Sequence, residues 1–126
     1  MKTDMKLYRN RYMEIKGVAK DSGGNVMSIA SPVKLIFKMV NLLDPTKHLL
    51  KTTDDPAEIA KTDAPAGKYT IYIGIADTIG LPAGEYRYEV VYVDDPASPV
   101  EVYTLNPKTI EQGILELKDT LIEVSR

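Results

Sequence analysis

His48 is the only histidine in the chain, so any histidine-based acid–base chemistry has to run through it. It sits in Thr46-Lys47-His48-Leu49-Leu50, between a turn and an apolar run. A general base needs a partner within hydrogen-bonding reach, and no serine, cysteine or carboxylate pair stands near it in the sequence. His48 therefore reads as a surface or edge residue. The carboxylates are the next chemical resource. Asp54-Asp55, Asp94-Asp95, Asp21, Asp63 and Asp77 all fall where strands are expected to end. Such residues could ligate calcium through about six to eight oxygens if they gathered at one end of the molecule. None has the spacing of a calcium-binding loop, and Asp55 and Asp95 directly precede proline, where aspartate is favoured by turn geometry alone. The reading is turn residues, with no metal and no cofactor.

Other chemistry is absent as motif. Without cysteine there are no disulfides, thiolate nucleophiles or zinc ribbons. The eight glycines never form a phosphate-cradling loop or a nucleophile elbow. No enzyme is expected. The aromatic set is skewed, with eight tyrosines, one phenylalanine and no tryptophan. Tyrosine offers contact area at low entropic cost, which makes Tyr72, Tyr88 and Tyr103 a candidate interaction face. The competing reading places most tyrosines in or around the core, since a strand tyrosine usually packs its ring.

The elements that would position these residues follow a period of two. Val33, Leu35, Phe37 and Met39 fall on one face of a strand, with Lys34 and Lys38 on the other beside Ile36 and Val40. Tyr69, Ile71, Ile73 and Ile75 alternate likewise, as do Tyr86, Tyr88, Val90 and Tyr92. Asp21-Ser22-Gly23-Gly24-Asn25 and the pairs Asp44-Pro45, Asp55-Pro56, Asp95-Pro96 and Asn106-Pro107 close these runs. Strands are expected near 6–19, 26–30, 32–41, 46–51, 57–62, 67–76, 84–94, 99–105 and 113–124. Helix is limited to one turn near 108–112, while 113–124 also permits a short helix. Eight or nine short strands in 126 residues point to a single all-β antiparallel sandwich over 1–126.

One phrase occurs twice: DAPAGKYTIYIGIAD at 63–77 and GLPAGEYRYEVVYVD at 80–94. Proline stops the preceding segment, glycine takes the bend, and tyrosine opens the alternation. Two copies are too few for a repeat array, and shared turn chemistry explains both. In the second copy, Leu81, Pro82, Gly84 and Tyr86 are spaced as in the tyrosine corner of immunoglobulin-like sandwiches. An ordinary hairpin turn with a core tyrosine is the other reading.

The order Asp21-Ser22-Gly23-Gly24-Asn25, the strand Val33 to Val40, then Ala76-Asp77-Thr78 ahead of Leu81-Pro82-Ala83-Gly84-Glu85-Tyr86-Arg87-Tyr88, and the closing Gly113-Ile114-Leu115-Glu116-Leu117 resembles a known pattern. It is that of small immunoglobulin-like domains of tailed-phage and prophage structural proteins, including the N-terminal domain of baseplate upper proteins. This chain has Arg9-Asn10-Arg11 where such domains often carry Arg-Gly-Asp-Thr. The resemblance implies a structural or interaction module of a phage particle, with other protein subunits, a homo-oligomer among them, as partners. The rival expectation is an extracellular ligand- or carbohydrate-binding sandwich. A net charge of -2, with basic and acidic residues interspersed, argues against nucleic acid and anionic membranes. Residues 1–17 lack the apolar core of a signal peptide, so synthesis in the cytoplasm is expected, with a virion as destination if the chain is phage-derived. Residues 1–5 and the tail after Leu121 are candidate donor strands for a neighbouring subunit.

Overall fold

A computed structural model describes residues 5–9, 11–31, 33–93 and 107–118, with only the backbone of 107 and 108. Among the described residues eight strands form two sheets: β1 (Met5–Tyr8), β2 (Met13–Val18), β3 (Lys34–Asn41), β4 (His48–Thr52), β5 (Ile59–Asp63), β6 (Lys68–Ile73), β7 (Gly84–Val93) and β8 (Pro107–Lys118). The larger sheet runs β1-β8-β7-β3-β4 and the smaller β2-β6-β5. Given immunoglobulin letters in chain order, these are the A′GFCC′ and BED sheets of that fold. Every pairing is antiparallel except β1 with β8, which is parallel.

Alternation explains the layering. Leu35, Phe37 and Met39 of β3 and Tyr86, Tyr88 and Val90 of β7 turn inward. They meet Ile15, Ile59, Tyr69, Ile71 and Ile73 of the smaller sheet in one cluster. Each such side chain contributes about 1.5–3 kcal/mol when fully buried. The outer face of the larger sheet is not uniformly wet. Ile36, Val91 and Val93 form a second, small buried cluster there, although Lys34 and Lys38 share that face.

Several expected elements are revised. The run at 6–19 is two strands, because the chain leaves the larger sheet after Tyr8 and joins the smaller one at Met13. The expected strand at 26–30 reduces to one bridge, Lys20 to Val26. Ile29 is buried there without a ladder, its N–H donating to the Ala64 carbonyl. The run at 67–76 stops at Ile73, since the Asp77 carboxylate accepts the Gly74 N–H at 2.6 Å and winds Ile75–Thr78 into one helical turn, α1. The helical turn expected at 108–112 is strand, held extended by pairing with Glu89 to Tyr92. Strand 113–124 is the continuation of that same element as far as Lys118; the remainder, and the strand at 99–105, lie outside the described residues.

The turns follow their residues. Asp44-Pro45 and Asp55-Pro56 open reversals in which Lys47 and Glu58 donate back to the aspartate carbonyls, at 3.0 and 2.8 Å. The glycines of both Pro-Ala-Gly copies take positive φ, 72° at Gly67 and 144° at Gly84. At Gly67 space is short as well: an added Cβ would lie 2.5 Å from the Met27 carbonyl oxygen. Gly67→Ala is therefore expected to cost about 1–3 kcal/mol in urea unfolding. Gly80→Ala, where nothing lies within 4 Å, should stay within about 0.5 kcal/mol of the parent. Equal losses at both sites would contradict this account.

Candidate functional site

The second Pro-Ala-Gly copy leads α1 into β7. Leu81 is buried and its N–H donates to the Thr78 carbonyl at 3.0 Å. Gly84 then turns the chain, and Tyr86 enters the core with no exposed surface. Its hydroxyl donates to the Pro82 carbonyl at 2.7 Å. A tyrosine at the start of strand F bonded to backbone four residues upstream has the geometry of a tyrosine corner. The first copy makes a different bond. Tyr69 is equally buried, and its hydroxyl donates to Glu111 Oε1 at 3.2 Å across the sandwich. Tyr88 reaches the other oxygen of Glu111 at 3.4 Å, and Tyr92 reaches the Ser28 carbonyl at 3.3 Å.

Tyr72 and Tyr88, two residues of the expected interaction face, do not share a surface. Tyr72 is half-buried on the outer face of the smaller sheet, and Tyr88 is 3% exposed on the inner face of the larger one. Register is the reason: odd positions of β6 and even positions of β7 point into the core. Tyr103 lies outside the described residues. Tyr72 instead packs against Tyr12, their rings 6.5 Å apart and 18° from parallel, and the Tyr12 hydroxyl donates to Glu14 at 2.8 Å.

His48 opens β4 as an exposed residue, with Nδ1 3.3 Å from the Thr46 carbonyl oxygen. The carboxylates are dispersed into local work. Asp21 accepts the N–H groups of Gly23 and Asn25, and Asp55 that of Ala57, each at 2.9 Å. Asp54 pairs with Lys34 at 3.2 Å. Asp63 precedes the 3-10 turn Ala64–Ala66 without capping it by a side-chain bond. Asp94 and Asp95 lie outside the described residues. No three His, Asp or Glu side chains gather as metal ligands among the described residues. A cavity of about 390 Å³ borders the 21–25 turn, with Lys20, Asp21, Ser22, Met27, Thr109 and Ile110 in its wall.

Two polar contacts are invisible to pattern reading. Lys51, nearly buried on β4, pairs with Asp77 of α1 at 2.7 Å and ties the edge of the larger sheet to the β6–β7 corner. Glu111 turns toward the core rim because a register shift between Val90 and Val91 re-aims this part of β8. Neither a protein-family model nor a curated protein sequence matches the chain.

Two outcomes follow from these tyrosines. Tyr86→Phe keeps the ring and loses the hydroxyl, with its bond to the Pro82 carbonyl and its contact with the Asn41 side chain, so a loss of about 1 kcal/mol is expected in urea unfolding. Tyr86→Ala should lose about 3–5 kcal/mol. An unchanged Phe variant would show that the hydroxyl contributes nothing. Burial first, and the Glu111 carboxylate second, push the Tyr69 hydroxyl above its ordinary 10.0. The fold favours the neutral phenol, so the stability it confers is complete below that value and is lost as pH rises toward the elevated one. Thermal midpoints should fall across the alkaline range. Tyr69→Phe should flatten that fall without abolishing it, because burial raises Tyr86 as well.

Proposed function

We propose that this chain is a non-enzymatic structural and interaction module, acting through sheet edges and end loops presented to neighbouring protein subunits. The observation that carries the reading is the concentration of exposed apolar side chains at one end of the sandwich. The β3–β4 turn holds Leu42 and Leu43, the latter 96% exposed. The β6–β7 connection holds Ile75 and Ile79, both more than half exposed. Asn41 pairs with Tyr86, so the end of β3 and the start of β7 lie together and the two connections share that end. A cavity of about 260 Å³ opens there between Asn41, Leu42, Leu43, Ala83, Gly84 and Glu85. Single exposed apolar residues need no explanation, but a group at one end is a surface suited to a protein partner.

The resemblance to tailed-phage immunoglobulin-like domains supports a more specific form of the reading. In it, the chain is made in the cytoplasm and built into a tail, baseplate or head–tail structure. An epitope-tagged chain, produced from the genome that encodes it, is expected to co-sediment with such particles in fixed ratio. Leu43→Asp should lose incorporation with an unchanged fold, because an exposed turn residue contributes little to stability. Recovery of the parent chain only in the slow, soluble fraction would overturn the proposal.

A further inference from the structure

Among the described strands the smaller sheet ends at β2, and the residues of that edge are complementary to their own reverse. The Ala19 N–H donates to the Gly67 carbonyl at 2.8 Å. Antiparallel alternation then sends Gly17, Ile15 and Met13 toward Tyr69, Ile71 and Ile73, and turns the N–H and C=O of Glu14, Lys16 and Val18 away from β6. No described residue hydrogen-bonds to those outward groups. The same even positions place their side chains on the outer face. Glu14 and Lys16 are exposed, Val18 is 39% exposed, and Tyr12, stacked on Tyr72, is 56% exposed.

Read outward, this face is Tyr12, Glu14, Lys16, Val18. Laid antiparallel against an identical strand with a two-fold axis at Ile15, Glu14 meets Lys16 of the second copy and Lys16 meets its Glu14. Tyr12 meets Val18 at both ends. Every facing pair is then oppositely charged or apolar, and outward backbone groups face outward backbone groups. Moving the axis to Lys16 would oppose two lysines and set Glu14 against Val18, a register that like-charge repulsion disfavours. Within one chain Lys16 and Glu14 form a long ion pair at 4.0 Å, and Glu14 also accepts the Tyr12 hydroxyl at 2.8 Å, so the second copy offers each charge a further partner of opposite sign.

Two of the other described edges, β4 and β5, are guarded. On β4, Glu58 accepts the Thr52 N–H at 3.0 Å, and Lys51 turns inward to Asp77. On β5, a register irregularity between Ala60 and Asp63 interrupts the ladder. Both devices discourage strand addition. Charges on an edge usually do the same, but two of opposite sign at alternate positions repel most registers and attract the antiparallel self-pair.

We infer that β2 is a homodimerisation edge: a second copy of this chain adds its own β2 antiparallel about Ile15. The two smaller sheets become one, in the order β5-β6-β2-β2-β6-β5, through a self-complementary two-fold contact. This rests on the reading of the chain as an assembly module and names one partner for it.

Sedimentation equilibrium on the whole chain, from micromolar to millimolar concentration, tests it. The parent should show a monomer–dimer equilibrium. Glu14→Lys and Lys16→Glu should each weaken it on the order of tenfold, since each turns two attractive cross-strand pairs repulsive. The double swap should restore the parent affinity, because the opposed pairs are rebuilt with signs exchanged. Lys16→Pro, whose lost N–H faces away from β6, should abolish the dimer while circular dichroism shows the sandwich intact. A parent that stays monomeric overturns the inference, and so does a dimer indifferent to these variants or a double swap that fails to recover. Those results leave co-sedimentation with particles to judge the broader proposal separately.

Discussion

Buried tyrosine hydroxyls have to be satisfied, and four of them are arranged around the core of this sandwich. A hydroxyl taken from water without a partner costs roughly 1–3 kcal/mol, so each of these rings is useful only where its oxygen can reach an acceptor. Tyr86 finds the Pro82 carbonyl, Tyr92 the Ser28 carbonyl, and Tyr69 and Tyr88 share the carboxylate of Glu111. The bonds run in different directions. One closes the corner before β7, one reaches the segment between β2 and β3, and the pair at Glu111 links β6, β7 and β8. Large aromatic area is thus buried while the hydroxyls fix which strand stands opposite which.

This arrangement couples stability to surface. The β8 register shift that brings Glu111 to Tyr69 leaves β8 paired with β7 on one side and parallel to β1 on the other. Because β1 is committed to β8, the chain has to cross to the other sheet before it can begin β2. Among the described strands nothing then lies outside β2. The open edge is a consequence of where the first strand goes. The β4 edge, by contrast, is secured by Glu58 from the turn that follows it and by Asp77 from farther along the chain.

Legibility in the sequence differed by the range of the interaction. The period of two located the core of β3, β6 and β7, since alternation is a property of each strand by itself. The turn at 21–25 and the Asp-Pro reversals were legible for the same reason: their hydrogen bonds span two to four residues. The break at 9–12 was not, because nothing in Arg-Asn-Arg-Tyr says that the strands on either side belong to different sheets. The helical turn at Ile75–Thr78 was hidden by apolar alternation that ran on past Ile73, where the Asp77 carboxylate on the Gly74 N–H decided the backbone. Residues 108–112 read as a turn after Asn106-Pro107, yet extended pairing with β7 prevailed.

The candidate surfaces divide along the same line. Leu81, Pro82, Gly84 and Tyr86 could be picked out from spacing, because a corner is a local bond across four residues. Tyr72 and Tyr88 could not be assigned to a common face, since that depends on which sheet each strand joins and on the parity with which it faces inward. Tyr12 and Glu111 carried no local signal at all. The sequence by itself determined the extended, alternating strands and the corners between them, as preferences written within a few residues. Tertiary structure alone decided sheet membership, the partners of buried hydroxyls and the edge left open, because those depend on contacts between residues far apart in the chain.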